Sequence, residues 1–218
     1  MHIAIIVLLA VFSRPLLAQN ASPRFSHQVH LKKANLTCLS CHSSAATSTA
    51  ATDANMPHEK VCLACHNGDA LSRVDTSFLS EKQPASRTFR FNHQFHSQMG
   101  NVAPLLAAAI DEGQYLGKPG DLRARLDTGN ACEACHRGLA ETDAASDANL
   151  PRMSDCLVCH SEIDNPFSCP KCHLEGVNLK PASHTREFAD THSTGRLGLD
   201  KTTCLPCHGR HFTCMGCH

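Results

Sequence analysis

Hydrophobic positions along this chain form one continuous run and afterwards only short, scattered groups. The run covers residues 3–12 and is followed by Ser13, Arg14 and Pro15, then by Leu16, Leu17 and Ala18 before the polar Gln19 and Asn20. An apolar stretch that breaks and reaches a small residue ahead of a polar segment reads as a secretory signal over 1–18, cleaved near Ala18. A helix that crosses a bilayer needs about 20 apolar residues. This run is too short to cross comfortably, and left uncleaved it would act as an anchor. Beyond it, residues 104–110 (Pro-Leu-Leu-Ala-Ala-Ala-Ile) predict a short helix with Pro104 at its start. Residues 121–126 predict a second helix, capped by Asp121, with Gly113, Gly117, Pro119 and Gly120 breaking the space between. His184, Phe188 and His192 recur at i, i+4 and i+8, which places them on one helical face. Residues 43–54 are rich in Ala, Ser and Thr and read as a loop. No stretch alternates long enough to predict a strand. The expected fold is therefore mostly irregular with short α-helices and little or no β-sheet.

Cysteine spacing changes this picture most. Cys-x-x-Cys-His occurs at 38–42, 62–66, 132–136, 156–160, 169–173, 204–208 and 214–218, and these seven copies use all 14 cysteines. The pentapeptide is the attachment site of c-type haem: two thiols add across the vinyl groups and the adjacent His reaches the iron. Structural zinc sites and redox dithiols also use Cys-x-x-Cys, but neither demands a His directly after it. With 16 His in 218 residues, seven chance followers have a probability on the order of 10⁻⁸, whereas attachment requires every one. Zinc ribbons also use such pairs two by two, and seven is odd. The haem thioethers are therefore assigned to Cys38, Cys41, Cys62, Cys65, Cys132, Cys135, Cys156, Cys159, Cys169, Cys172, Cys204, Cys207, Cys214 and Cys217. The proximal iron ligands are His42, His66, His136, His160, His173, His208 and His218. Attachment of this kind happens outside the bacterial cytoplasm, which agrees with the signal and places the protein in the periplasm or outside the cell.

Without residues 1–18 the chain has 218 − 18 = 200 residues for seven haems, no Trp and one Tyr. So little peptide cannot bury seven macrocycles in a side-chain core, so the haems themselves must form the core. The formal net charge is zero, but each haem adds two propionates. The loaded protein is then more acidic than its sequence pI of 7.2, which argues against a nucleic-acid partner.

The chain also repeats. Phe25-x-His27-x-x-His30 precedes the first motif, and Phe91-x-His93-x-x-His96 precedes the third. Cys38 to Asn55 and Cys132 to Asn149 are both 17 residues, and Cys38 to Cys62 matches Cys132 to Cys156 at 24. This is an internal duplication. His30 lies 8 residues before Cys38 but His96 lies 36 before Cys132, so the second copy carries an inserted excursion over 97–130. That excursion either covers a haem edge or partner site, or is a solvated spacer. The organisation reads as a signal (1–18), an N-terminal dihaem module (19–66), a polar linker (67–90), a trihaem module (91–173) and a C-terminal dihaem segment (174–218).

Eight further histidines, His27, His30, His58, His93, His96, His184, His192 and His211, are candidates for the second axial position. A lone His is usually a surface or core residue; here the number nearly equals the demand and the positions repeat. Met56, Met99 and Met153 are weaker candidates. The Phe-x-His-x-x-His elements, the following attachment motifs and a His four residues ahead of the second motif resemble the class III multihaem cytochromes, small periplasmic carriers with bis-histidine irons. The resemblance covers about 25–66 and 91–173. It implies that His27 faces the haem of His42, His30 that of His66, His93 that of His136 and His96 that of His160, with Phe25 and Phe91 packed on haem faces. The family's third-haem ligand matches His58, but Arg152 stands at that position in the second copy. Two arrangements stay open: His58 crosses to the haem of His173, which leaves His184, His192 and His211 for the haems of His208 and His218 with His211 the spare, or His58 is free and His211 serves the haem of His173.

Paired imidazoles leave no open iron position and give low potentials. The expected function is electron transfer without substrate chemistry, not an enzyme activity, between redox partners such as an inner-membrane quinol oxidase or dehydrogenase and a terminal reductase. Two other readings stay open. One is a reductase of nitrite, hydroxylamine or a sulfur oxyanion with one five-coordinate haem, although no variant motif marks such a haem. The other is a subunit of a homo-oligomer or extracellular filament, in which one copy's His serves the next copy's haem.

Overall fold

A computed structural model describes residues 25–81, 87–126, 129–160, 169–194, 198 and 200–209. The stretch read as a signal, the last attachment motif with Cys214, Cys217 and His218, and the candidate His211 lie outside the described residues. The α-helices are α1 (Cys38–Cys41), α2 (Glu59–Leu63), α3 (Phe78–Glu81), α4 (His93–Gln98), α5 (Ala103–Asp111), α6 (Met153–Cys156), α7 (Cys169–Cys172), α8 (Arg186–Thr191) and α9 (Leu205–His208). Short 3₁₀ segments and one π-turn, Val29–Lys33, join them, and the described residues contain no strand.

The shortness of these helices follows from the motif. One helical turn puts Cys i and Cys i+3 on the same side with His i+4 beside them. The turn closes through the His amide: His42, His66, His136, His160 and His173 each donate to the first Cys carbonyl of their motif at 2.8–2.9 Å. One turn is enough to aim two sulfurs and an imidazole, and little beyond it favours continuation.

The longest helix, α5, carries Pro in its first turn as its sequence predicts. It ends at Gly113, whose φ of 67° admits the left-handed backbone that a side chain resists. Residues 121–126 give only a 3₁₀ segment, Leu122–Arg125. Asp121 makes no side-chain cap there; its carboxylate instead receives both Nε and Nη2 of Arg125, at 2.9 and 2.6 Å. A bidentate guanidinium one turn away outcompetes a single backbone amide.

The excursion is not a solvated spacer. Ala103, Leu106, Tyr115, Leu122 and Leu126 bury against Ala134 of the third motif, with Cys135 and Val158 packed on the same cluster. Under it lies a buried polar group. Asp155, 6% exposed, accepts Tyr115 Oη at 2.9 Å, Arg137 Nη2 at 2.6 Å and the Arg152 amide at 2.6 Å, while Arg137 Nη1 donates to the Ala134 carbonyl at 2.7 Å. Elsewhere among the described residues no large side chain is fully buried, as expected where haem replaces the side-chain core.

The stretch read as a polar linker ends in contact. Arg90 donates to the Cys172 carbonyl at 2.7 Å and Leu174 to the Thr88 carbonyl at 2.9 Å, around an isolated bridge between Phe89 and His173. Residues 88–90 therefore pin α7 to the start of the second copy.

Candidate haem centres

In both copies the distal-His element is built the same way. Ser26 and Asn92 start the turn: Ser26 Oγ accepts the Val29 amide at 3.2 Å and Asn92 Oδ1 the Phe95 amide at 2.8 Å. Their backbone carbonyls accept Nδ1–H of His30 and His96, at 2.7 and 2.8 Å. A proton held on Nδ1 leaves the Nε2 lone pair for a metal, and the bond fixes the ring's orientation. His192 is held likewise by the Phe188 carbonyl at 2.9 Å. Phe25 stacks on His30 and meets His27 edge-on, with centroids 4.5 and 4.9 Å apart, and Phe91 repeats this with His96 and His93.

The motif histidines use carbonyls further along the chain. His42 Nδ1 bonds to the Asn55 carbonyl at 2.7 Å, His136 Nδ1 to that of Asn149 at 3.3 Å and His66 Nδ1 to that of Ser72 at 2.9 Å. Sequence reasoning saw the repeated Asn55 and Asn149 only as marks of duplication. Their constant distance from the motif was the available signal of a role. Burial lowers the pKa of His93, His136 and His208, favouring the neutral imidazole that can bind iron.

These rings meet in pairs. Centroid separations are 6.4 Å for His27 and His42, 6.3 Å for His30 and His66, 6.4 Å for His93 and His136, 6.4 Å for His96 and His160, and 6.2 Å for His184 and His208. Two metal–imidazole bonds of about 2.0–2.1 Å, each with roughly 1.2 Å from nitrogen to ring centre, give about 6.4 Å across one ion. Imidazoles in direct contact would sit closer. Nine of these ten rings, all but His66, border one cavity of about 3800 Å³ to which all six described attachment motifs contribute cysteines. Spacing, tautomer, thiols and space thus fit haem.

Residues 23–83 match the family model described as cytochrome c7 and related cytochrome c. The match supports a multihaem c-type cytochrome that carries electrons, and it covers the first copy with the following stretch. No curated protein and no solved structure matches the chain.

The structure does not bring His58 to His173. His58 is exposed, caps α2 and accepts the Lys60 amide on Nδ1 at 3.2 Å. A neutral ring that accepts at Nδ1 carries its proton on Nε2, the nitrogen a haem would need. Arg152 stands at the same N-cap position of α6, without a side-chain cap bond, so the two positions correspond structurally as helix starts. His173 borders the cavity with its Nδ1 buried and unbonded, and no described ring faces it at the paired spacing. His184 and Phe188 stack at 4.8 Å and Phe188 and His192 at 5.2 Å, although His184 precedes α8 and His192 follows it. Met56, Met99 and Met153 border the same cavity.

No described helix is long and apolar enough to cross a membrane.

Proposed function

We propose that the chain is a heptahaem electron carrier of the periplasm or cell exterior, relaying single electrons between redox proteins such as a quinol-oxidising complex and a terminal reductase. The observation that carries this is the set of five imidazole pairs at 6.2–6.4 Å around one cavity bordered by six attachment motifs. Bound haem supplies reversible one-electron chemistry, and the protein tunes it through axial ligand, hydrogen bonding and burial. The chain's part is to hold each imidazole by a backbone carbonyl so that ligands need not reorganise as electrons pass. His192, held in the same manner, serves a further haem. The seventh haem attaches at Cys214 and Cys217.

Mass spectrometry of the mature protein together with its ferric spectrum tests the proposal. Seven haems, no free thiol and low-spin iron at the five paired sites are expected. Fewer haems or alkylatable thiols would overturn it. A single high-spin haem that binds carbon monoxide would place the opening at His173 and favour the reductase reading.

A further inference from the structure

The two copies touch through a reciprocal pair of backbone hydrogen bonds. The Gln28 amide donates to the Thr142 carbonyl at 3.2 Å, and the Gln94 amide donates to the Ser48 carbonyl at 2.9 Å. Gln28 and Gln94 each follow the first distal His of their copy by one residue; Ser48 and Thr142 each follow the first motif's His by six. Each copy thus lays its distal-His turn on the segment behind the other copy's first motif. Contacts in which i meets j and j meets i are those of a two-fold interface, here formed within one chain. Ser26 Oγ donates to Asp143 Oδ1 at 2.6 Å and Lys32 pairs with Glu141 at 3.1 Å on the same seam. At its centre Asn130 Nδ2 reaches Cys38 Sγ at 3.5 Å.

The ring pairs extend outward from that seam. His27 and His30 stand three residues apart and face His42 and His66, which makes those two motifs neighbours, and His93 and His96 do the same for His136 and His160.

We infer that four attachment motifs line up in the spatial order 62–66, 38–42, 132–136 and 156–160, with the two copies joined head to head through their first motifs. This order rests on the carrier reading above. It departs from sequence order at one place: the motif of His66 is an outer end, not the bridge to the second copy. A partner exchanging electrons with the N-terminal copy must then approach the side of α2 and Cys65, which is exposed.

Nuclear Overhauser contacts between haem protons in the fully reduced wild-type holoprotein test the order. Single variants His27→Met, His30→Met and His93→Met each shift the resonances of one haem and so assign those of His42, His66 and His136. Cross-peaks are expected from the haem of His42 to those of both His66 and His136. Contact between the haems of His66 and His136, with none between those of His42 and His136, would overturn the inference. If a variant fails to assemble, iron positions from anomalous diffraction of wild-type crystals give the same neighbours, with the covalent attachment identifying each site. A haem count below seven in the same preparation would count against the carrier reading, whereas seven haems in sequence order would reject the spatial order alone.

Discussion

Asp155 is the position where one atom's change should cost the protein most. Its carboxylate is 3% exposed, and the Arg137 guanidinium it neutralises is 6% exposed, with Nη2 to Oδ2 at 2.6 Å. Asp155→Asn keeps the shape and an acceptor for Tyr115 Oη or the Arg152 amide but removes the charge. Arg137 then remains buried without a counterion, a loss of about 3–5 kcal/mol. Asp155→Ala also strands the Tyr115 hydroxyl and should fall at the upper end of that range. Replacing both members, Asp155→Leu with Arg137→Met, should recover the part of the loss that comes from the uncompensated guanidinium, because apolar residues of similar volume can substitute for a buried pair at little cost, while the stranded Tyr115 hydroxyl keeps its share. Thioethers keep the haems attached, so guanidinium unfolding followed by far-ultraviolet circular dichroism is a suitable assay. With little change in slope, the midpoint shift reads the energy directly. Limited proteolysis should show cleavage first within 97–130, which packs on this pair. A cost below about 1 kcal/mol for Asp155→Asn, or no rescue in the double variant, would refute the reasoning.

Other outcomes follow from the same geometry. His96→Ala should leave all haems attached and convert one iron to high spin; an unchanged ferric spectrum would remove His96 as a ligand. The ring planes fall into two classes: His27/His42, His93/His136 and His184/His208 lie within 10° of parallel, whereas His30/His66 and His96/His160 are tilted by 54° and 49°. Parallel imidazoles split the iron dxz and dyz orbitals more than crossed ones, so ferric electron paramagnetic resonance should resolve a rhombic group and a more axial group with larger gmax, and one uniform signal would contradict this. Tyr115, the chain's one tyrosine, is pushed up to about 12, by burial first and then by Asp155. Its folded pKa exceeds the unfolded value, so its contribution to stability is fully present below pH 10 and is lost as pH rises through 12; a single ring-labelled carbon resonance that titrates at the ordinary value near 10 would refute it.

What was legible in the sequence was chemistry fixed by local spacing. Cys-x-x-Cys-His needs one helical turn, and Phe-x-His-x-x-His needs one turn and a cap, so neighbouring residues specify both. The burial of the excursion was not legible, because Leu106, Tyr115, Leu122 and Leu126 show no common period and find their faces only against Ala134 and Val158. The Arg137–Asp155 pair was equally hidden, since each residue merely flanks an attachment motif. His58 was ambiguous for a physical reason: its place before α2 suits a capping acceptor, the role it takes with the Lys60 amide, as well as it suits a haem ligand. The reciprocal bonds of Gln28 and Gln94 run through main-chain atoms, which leave no mark on side-chain choice.

The want of a side-chain core has a consequence for the life of the chain before it works. A polypeptide whose interior is supplied by its cofactors cannot collapse to its final form until they are fixed, so maturation and folding become one event. The cluster around Leu106 and Leu122, which requires no macrocycle, can condense ahead of the rest and give the growing assembly its first fixed wall.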